Sequence, residues 1–262
     1  MPRANRWFMP GYVWHITHRC HRRQFLLKFS RDRERWLYWL FEAKKRFGLC
    51  VLNYIVTSNH IHLLVSDRGD GEIAESMQLI AGRTAQEYNK RKRRRGAYWE
   101  DRYHATAVDT DGYLGRCMAY IDMNMVRAGA VKHPGEWHAS GYREIQIPPL
   151  RYCIIDLPAL MTLLGADRLD TLRAMQVEWV DEALKAEQFR RDGLWSESLA
   201  VGSREFVDRH QAELGVRARQ RVVEQNADKH LLRETAPPYD CVFDPEIGTL
   251  RFENTVILRG NL

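Results

Sequence analysis

Apolar and polar residues alternate along the chain in a pattern that predicts strands and helices in turn over the first 150 residues. A period of two predicts strands at residues 11–20, 49–57, 60–66 and 98–108, and a period near 3.6 predicts helices at 31–47, 72–92 and 113–128. Ser58 and Asn59 supply a turn signal between two strands, which should therefore pair as an antiparallel hairpin. This alternation indicates a compact α+β sheet domain with helices against one face, ending near Pro148 and Pro149.

The pattern changes beyond residue 150. Helices are predicted at residues 156–165, 167–189 and 203–215, and the stretch from Pro237 is predicted to be irregular or weakly strand-like. We therefore expect two parts: a sheet domain over residues 1–150, and a mainly helical C-terminal appendage over residues 151–262 whose role the sequence does not indicate.

Composition narrows the classes of protein to consider. No apolar run reaches the roughly 18 residues that a membrane span needs, and the N-terminal residues lack the apolar core of a signal peptide, so we expect a cytoplasmic, nucleoid-associated protein. The five cysteines show no zinc-ligand spacing, and buried free thiols are expected.

The charge is unevenly distributed along the chain. Residues 1–150 carry 25 Lys+Arg against 15 Asp+Glu (+10), and residues 151–262 carry 15 against 19 (−4), which together give the net charge of +6. The basic first part points to a polyanionic partner.

The first candidate constellation is His60-Ile61-His62 in the sequence HIHLLV. Side chains alternate between the two faces of a strand, so His60 and His62 share one face while Ile61 points into a core. Two imidazoles about 7 Å apart at Cα can converge on one cation. Solvent-facing or structural histidines are the alternative, because this short motif alone is not specific.

The second constellation is a polar stripe on the helix predicted at 113–128. Arg116, Tyr120, Asn124 and Arg127 stand at i, i+4, i+8 and i+11, which places a phenol one turn from a carboxamide, with arginines on either side. A phenolate can attack phosphorus, an amide oxygen can bind a hard metal, and arginines can hold phosphate oxygens. The alternative is a tyrosine that packs by its ring edge next to a capping asparagine.

The third constellation is a run of six cations. It is preceded by Arg83 and followed by the aromatic residues Tyr98 and Trp99, and such a run next to aromatics resembles a tract that contacts phosphates and stacks on unpaired bases. A solvated helix end without specificity is the alternative. The run consists of Lys90, Arg91, Lys92, Arg93, Arg94 and Arg95.

The chain resembles the single-tyrosine HUH transposases, and among them the REP-associated tyrosine transposases related to insertion-sequence transposases. The resemblance rests on PRANRWFMPGYVWHITHRCHRRQFLL, YIVTSNHIHLLVSD, YWEDRYHATAV and YIDMNMVRAGAVKHPGEWHASGYREI, in this order, and it spans about residues 2–145. It implies a ferredoxin-like or RRM-like antiparallel sheet, with Tyr120 as nucleophile and His60, His62 and Asn124 as metal ligands. Many relatives carry a proline where this chain has Met125, which we expect to change only how the helix continues.

The resemblance also implies an activity. We expect an endonuclease and strand transferase that uses Mg²⁺ or Mn²⁺ and forms a 5′-phosphotyrosine on single-stranded or hairpin DNA of the REP kind. A non-catalytic nucleic-acid-binding regulator on an RRM-like sheet is the alternative, and a rolling-circle initiator or relaxase is a third possibility with the same chemistry. The DNA sequence recognised and the choice between monomer and dimer stay open.

Overall fold

A computed structural model describes residues 7–110, 112–186, 193–218, 221–226 and 229–234. Seven strands in these ranges form one sheet. Their order in the sheet is β2 (Cys50–Val56), β3 (His60–Ser66), β1 (Val13–Arg19), β4 (His104–Val108), β5 (Ala200–Gly202), β7 (Lys229–Glu234) and β6 (Arg221–Asn226). The stretch from Pro237, predicted to be irregular, lies outside the described residues, as does the predicted end of the helix near residue 189. No helix in the described ranges is long and apolar enough to cross a membrane.

The N-terminal half of the sheet has the βαββαβ order of a ferredoxin-like fold. Its strands lie in the order β2-β3-β1-β4, and each neighbouring pair is antiparallel. The α+β class predicted from the sequence is therefore confirmed. The elements are β1 (Val13–Arg19), α1 (Ser30–Phe47), β2 (Cys50–Val56), β3 (His60–Ser66), α2 (Glu72–Arg91) and β4 (His104–Val108).

Both faces of this sheet are covered. Ile61, Leu63 and Val65 of β3 point to one face and are fully buried, and α1 contacts β2 and packs against α2. His62 and Leu64 point to the other face, where the later helices lie. The predicted packing of helices on one face thus describes α1 and α2 only, because further helices cover the face that carries the histidines.

The segment after β4 departs from the predicted single helix at residues 113–128. It forms α3 (Tyr113–Asp122) and α4 (Asn124–Arg127), which are separated at Met123. Met123 has a ψ of −1°, away from the helical value near −42°, and marks the end of α3 and the start of α4. Three helices follow in the chain: α5 (Gly141–Gln146), α6 (Leu157–Leu164) and α7 (Leu169–Lys185).

The predicted mainly helical appendage in fact adds three strands to the same sheet. β5 pairs with β4 in parallel, β7 pairs with β5, and β6 forms the edge, so the predicted boundary near residue 150 does not coincide with the end of the sheet. β5 has only three residues, which is too few to show a period along the chain. These C-terminal elements are α8 (Leu194–Glu197), β5 (Ala200–Gly202), α9 (Arg204–Leu214), β6 (Arg221–Asn226) and β7 (Lys229–Glu234).

The predicted strand at residues 98–108 is shorter in the structure. Only His104–Val108 is a strand, while Trp99 makes a single bridge to Cys20. Bends at residues 100–102 separate this bridge from β4. The chain is therefore redirected between the basic run and the sheet.

Candidate active site

The two histidines of the HIHLLV sequence lie side by side on β3. Their ring centroids are 5.0 Å apart, His62 is buried and His60 is partly exposed. His60 stands at the first position of the strand, directly after the turn that contains Asn59. The strand therefore presents both imidazoles at one end of the sheet, as alternation predicts.

The turn before β3 orients the His60 ring. His60 Nδ1 lies 2.7 Å from Asn59 Oδ1 and 3.0 Å from Thr57 Oγ1. An amide oxygen only accepts, so this network assigns the proton to Nδ1 and leaves the lone pair on Nε2. His60 thus presents the ring nitrogen that can bind a cation.

The His62 ring is held from both sides. Its Nδ1 lies 2.8 Å from Nε2 of His15, and its Nε2 lies 2.9 Å from the amide nitrogen of Asn124. His15 Nδ1 lies 2.6 Å from the carbonyl oxygen of Trp195. Burial lowers the pKa of His15 to about 3, because a fully buried imidazolium loses its hydration, so His15 is neutral at physiological pH.

Tyr120 lies on α3 with its ring against the histidines. The ring centroid is 5.7 Å from that of His62 and 6.0 Å from that of His15, both edge-on. Arg127 places its guanidinium 4.3 Å from the centre of the tyrosine ring and donates to the Tyr120 carbonyl oxygen at 2.7 Å. The Trp195 ring lies 6.3 Å away. Tyr120 is 8% exposed, so its ring is held in place by these neighbours.

The structure thus brings four predicted residues together: His60, His62, Tyr120 and Asn124. The second predicted arginine of the stripe, Arg116, lies over the ring of Tyr113, 5.5 Å from its centre. Alternation along a strand predicts the histidine pair, and helical spacing predicts that the tyrosine and asparagine share one face. Neither pattern shows that the strand and the helix meet.

The donor set is compatible with a divalent cation when Asn124 is included. The described part of the chain contains no group of three or more His, Cys, Asp or Glu side chains that could hold a metal. The hydrogen bonds of the turn leave a lone pair on Nε2 of His60, and Nε2 of His62 faces Asn124. Exchange of the amide nitrogen and oxygen of Asn124 would direct an oxygen toward His62. Two imidazoles and one amide oxygen would then form a neutral set of three donors, fewer than a divalent cation such as Mg²⁺ takes.

The basic run lies at the end of α2, and its members differ in their contacts. Arg91 forms an ion pair with Asp32, and Arg94 donates to Asn89 and Gln24. Arg83 lies over the Trp39 ring. Five members are exposed to solvent: Lys90, Arg91, Lys92, Arg93 and Arg95. Of these, Arg91 is engaged with Asp32, so the other four are the exposed cations considered below.

The structure corrects the predicted stacking surface after the run. Tyr98 is 2% exposed, so its ring cannot receive a base in this conformation. Trp99 donates through Nε1 to the Ala81 carbonyl and stacks on His18 with centroids 4.1 Å apart. Both rings are part of the packing between α2 and the sheet, which a pattern of cations next to aromatics does not reveal.

Two other aromatic residues, which the sequence patterns did not single out, are exposed beside the run. Phe29 is 59% exposed and Phe25 is 38% exposed, and the Lys92 ammonium lies 5.6 Å from the centre of the Phe29 ring. Their loop is tied to the turn before β3, because Leu27 N donates to the Ser58 carbonyl oxygen at 2.9 Å. We call residues 21–31 with residues 90–95 the basic loop surface. The sequence HRRQFLLKFS contains the signal, namely cations interleaved with phenylalanines.

Fold and site together define a ferredoxin-like domain in which a histidine pair on a central strand faces a tyrosine on a later helix. Residues 9–124 match the family described as "Transposase IS200 like". The match confirms the resemblance predicted from the sequence motifs: this part of the chain is similar to IS200-like transposases. Residues after 124, including Trp195, lie outside the match.

The solved structures similar to this chain include one from the same kind of protein that the sequence motifs resemble. A REP-associated tyrosine transposase bound to a REP hairpin is 19% identical, with a TM-score of 0.46, and the similarity covers 60% of this chain and 94% of that one. At this identity and TM-score the likeness supports no functional inference. No curated protein matches the chain.

Proposed function

We propose that this protein nicks and rejoins single-stranded DNA through a covalent bond to Tyr120. The observation that carries the proposal is the contact of the Tyr120 ring with His62, at 5.7 Å between centroids, in a domain that matches IS200-like transposases. A binding protein needs neither a tyrosine next to paired imidazoles nor an asparagine in contact with one of them. Nucleophilic attack on a phosphodiester uses all of these groups.

Each residue has a separate role in this mechanism. His60, His62 and Asn124 would hold Mg²⁺ or Mn²⁺, which when bound neutralises charge on the scissile phosphate. Arg127 holds the ring of Tyr120 in place, with its guanidinium 4.3 Å from the centre of the ring. Since the ring is already oriented, little conformational entropy has to be lost before the reaction.

The chemical step exchanges one phosphodiester bond for another. The Tyr120 oxygen attacks phosphorus in line, a tyrosine–phosphorus bond forms, and the bond to the 3′-oxygen breaks. The phenol proton passes to solvent, and the leaving 3′-oxygen takes up a proton from solvent. Because the energy of the ester bond is kept, a 3′-hydroxyl of another strand can reverse the step and join new ends without a nucleotide cofactor.

The substrate is a hairpin or an adjoining single strand, as the sequence resemblance to REP-associated transposases implies. The exposed cations of the basic loop surface would contact phosphates, and Phe25 and Phe29 would offer flat rings to unpaired bases. This surface is connected to the turn before β3 by the hydrogen bond from the Leu27 amide to the Ser58 carbonyl oxygen. A strand bound there would lead toward His60.

The proposal is tested by incubating the protein with a labelled hairpin oligonucleotide and Mn²⁺, and looking for a covalent adduct on denaturing gels. Tyr120→Phe should abolish the adduct, whereas Tyr113→Phe on the same helix should retain it. An adduct that survives in Tyr120→Phe would rule out this nucleophile. His60→Ala and His62→Ala should lose cleavage while they still bind the oligonucleotide. Binding by the unaltered protein without cleavage in any metal would instead favour a non-catalytic regulator.

A further inference from the structure

The segment from Leu194 to Leu199 contributes two backbone carbonyl groups to the face of the sheet that carries His62. The Trp195 carbonyl oxygen lies 2.6 Å from His15 Nδ1, and the Ser198 carbonyl oxygen accepts from Thr106 Oγ1 at 2.7 Å. His15 stands on β1 between Leu64 of β3 and Thr106 of β4 in the strand pairing. The segment is therefore attached to the middle of the sheet.

The Trp195 carbonyl determines where the protons lie on two histidines. A carbonyl oxygen only accepts, so the proton of the neutral His15 ring is on Nδ1 and its Nε2 accepts. The partner of that Nε2 at 2.8 Å is His62 Nδ1, which must then carry the proton of its own ring. The lone pair of His62 consequently lies on Nε2, the nitrogen that faces Asn124. A chain of two hydrogen bonds thus runs from a backbone carbonyl to the candidate ligand.

We propose that His15 is a positioning residue for His62, and that the Trp195 carbonyl fixes the tautomer in which His62 presents Nε2 to the site. The proposal rests on the metal role proposed above for His62. It assigns a part in the active site to a residue that lies outside the transposase match at residues 9–124. Partners of this kind set the ring orientation and basicity of metal-binding histidines, and their loss typically weakens metal affinity 10- to 100-fold.

Substitutions at His15 separate positioning from packing. His15→Leu fills this buried position with an apolar side chain that cannot accept a hydrogen bond from His62, and we expect Mn²⁺ affinity to fall at least tenfold. His15→Gln offers one donor to the Trp195 carbonyl and one acceptor to His62, so it should stay within a few-fold of the unaltered protein. His104→Leu is the control, because His104 also bonds a carbonyl of this segment, that of Ser198 at 2.9 Å. Its Mn²⁺ affinity should not change.

The measurements are calorimetric titration of the full-length protein with Mn²⁺ in the absence of DNA, and ¹⁵N chemical shifts of the histidine rings. The shifts should show His62 protonated at Nδ1 in the unaltered protein and in His15→Gln, and a different or mixed tautomer in His15→Leu. A His62 ring protonated at Nε2 in the unaltered protein would overturn the proposal without any variant. So would an unchanged tautomer together with unchanged Mn²⁺ affinity in His15→Leu.

The two proposals can fail separately. If the unaltered protein binds no Mn²⁺ but its His62 tautomer changes in His15→Leu, the metal role fails while the role of His15 as a positioning residue stands. If Mn²⁺ binding is lost in His62→Ala but is unchanged in His15→Leu, the metal role stands and the role of His15 fails.

Discussion

Asp122 is a fully buried carboxyl group on α3, two positions after the proposed nucleophile. It accepts hydrogen bonds from Asn53 at 3.0 Å and from Gln176 at 2.9 Å, and so joins α3 to β2 and α7. Burial raises the pKa of Asp122 to about 7, although both hydrogen bonds act in the opposite direction. This carboxyl group therefore titrates in the neutral range.

We expect the stability of the protein to fall as the pH rises through 7. The folded-state pKa of Asp122 lies above the unfolded value of about 3.9. The contribution of its protonation to the free energy of unfolding is therefore complete below about pH 4 and is lost as the pH rises through the folded-state pKa. The loss should be on the order of a few kcal/mol. Urea unfolding at pH 5.5 and pH 8 measures it, and Asp122→Asn should flatten the difference.

The control for this experiment is Asp170→Asn, since that carboxylate is 71% exposed. It should leave the pH dependence as it is in the unaltered protein. An equal loss of stability between the two pH values in Asp122→Asn and in the unaltered protein would contradict the assignment to Asp122.

Single residues of the site differ in how well the sequence predicts them. The shared face of His60 and His62 follows from alternation within one strand. Alternation also places His15 and Thr17 on one face of β1, but contact of His15 with His62 depends on how β1 and β3 align, which one sequence does not define. The burial of Tyr98 likewise depends on packing between distant segments.

At the scale of elements, the position of the tyrosine helix depends on a close contact with α7. Gly115 on α3 lies against the Trp179 ring, and a Cβ atom at this position would come within 2.8 Å of a ring carbon. Tyr120 stands five residues further along the same helix. The absence of a side chain at residue 115 therefore allows α3 and α7 to approach, and so contributes to where the nucleophile lies.

Gly115→Ala should destabilise the protein by about 1–3 kcal/mol, because the new methyl group overlaps the Trp179 ring and the helices must separate. It should also lower the rate of adduct formation, since a shift of α3 moves Tyr120 away from His62. Gly82→Ala on α2 is the matched control, as no atom lies within 4 Å of its added Cβ. That variant should gain up to about 1 kcal/mol from helix propensity. Thermal unfolding measures the stability of both variants, and the adduct assay measures their rates. Equal stabilities and equal rates in the two variants would refute the role of the contact between Gly115 and Trp179.

Elements were predicted well where a local pattern is strong. The strand at residues 60–66 and the helix that begins near residue 30 agree with the structure to within a residue. The break at Met123 was not predicted, because the apolar spacing continues through it. Strand β5 was missed because its pairing with β4 joins residues more than 90 positions apart, beyond the reach of any local pattern.

At the scale of the whole molecule, the excess positive charge has a defined location. The first 150 residues carry the basic balance, and exposed cations flank Phe29 on the basic loop surface. Cations and flat rings act differently on a nucleic acid, because phosphate contacts release counterions whereas base stacking does not. The two contributions can therefore be separated by salt.

Phe29→Ala should weaken binding to a single-stranded oligonucleotide by about 1–3 kcal/mol and leave the dependence on salt concentration unchanged. Arg93→Ala should instead lower the slope of log affinity against log salt by about one. Fluorescence anisotropy between 50 and 200 mM salt measures both quantities. Tyr38→Ala, which removes an exposed ring outside this surface, is the control. Equal affinity of Phe29→Ala and the unaltered protein would exclude stacking on this ring.

The parallel pairing of β4 with β5 has a consequence for self-association. The amides of Ala107 and Asp109 donate to the carbonyl groups of Leu199 and Val201, at 2.8 and 3.0 Å. In a chain shortened to its first 150 residues, β4 would have an open edge, and such an edge can pair with a strand of another molecule. The C-terminal part therefore covers a strand edge that would otherwise be open to pairing with another molecule.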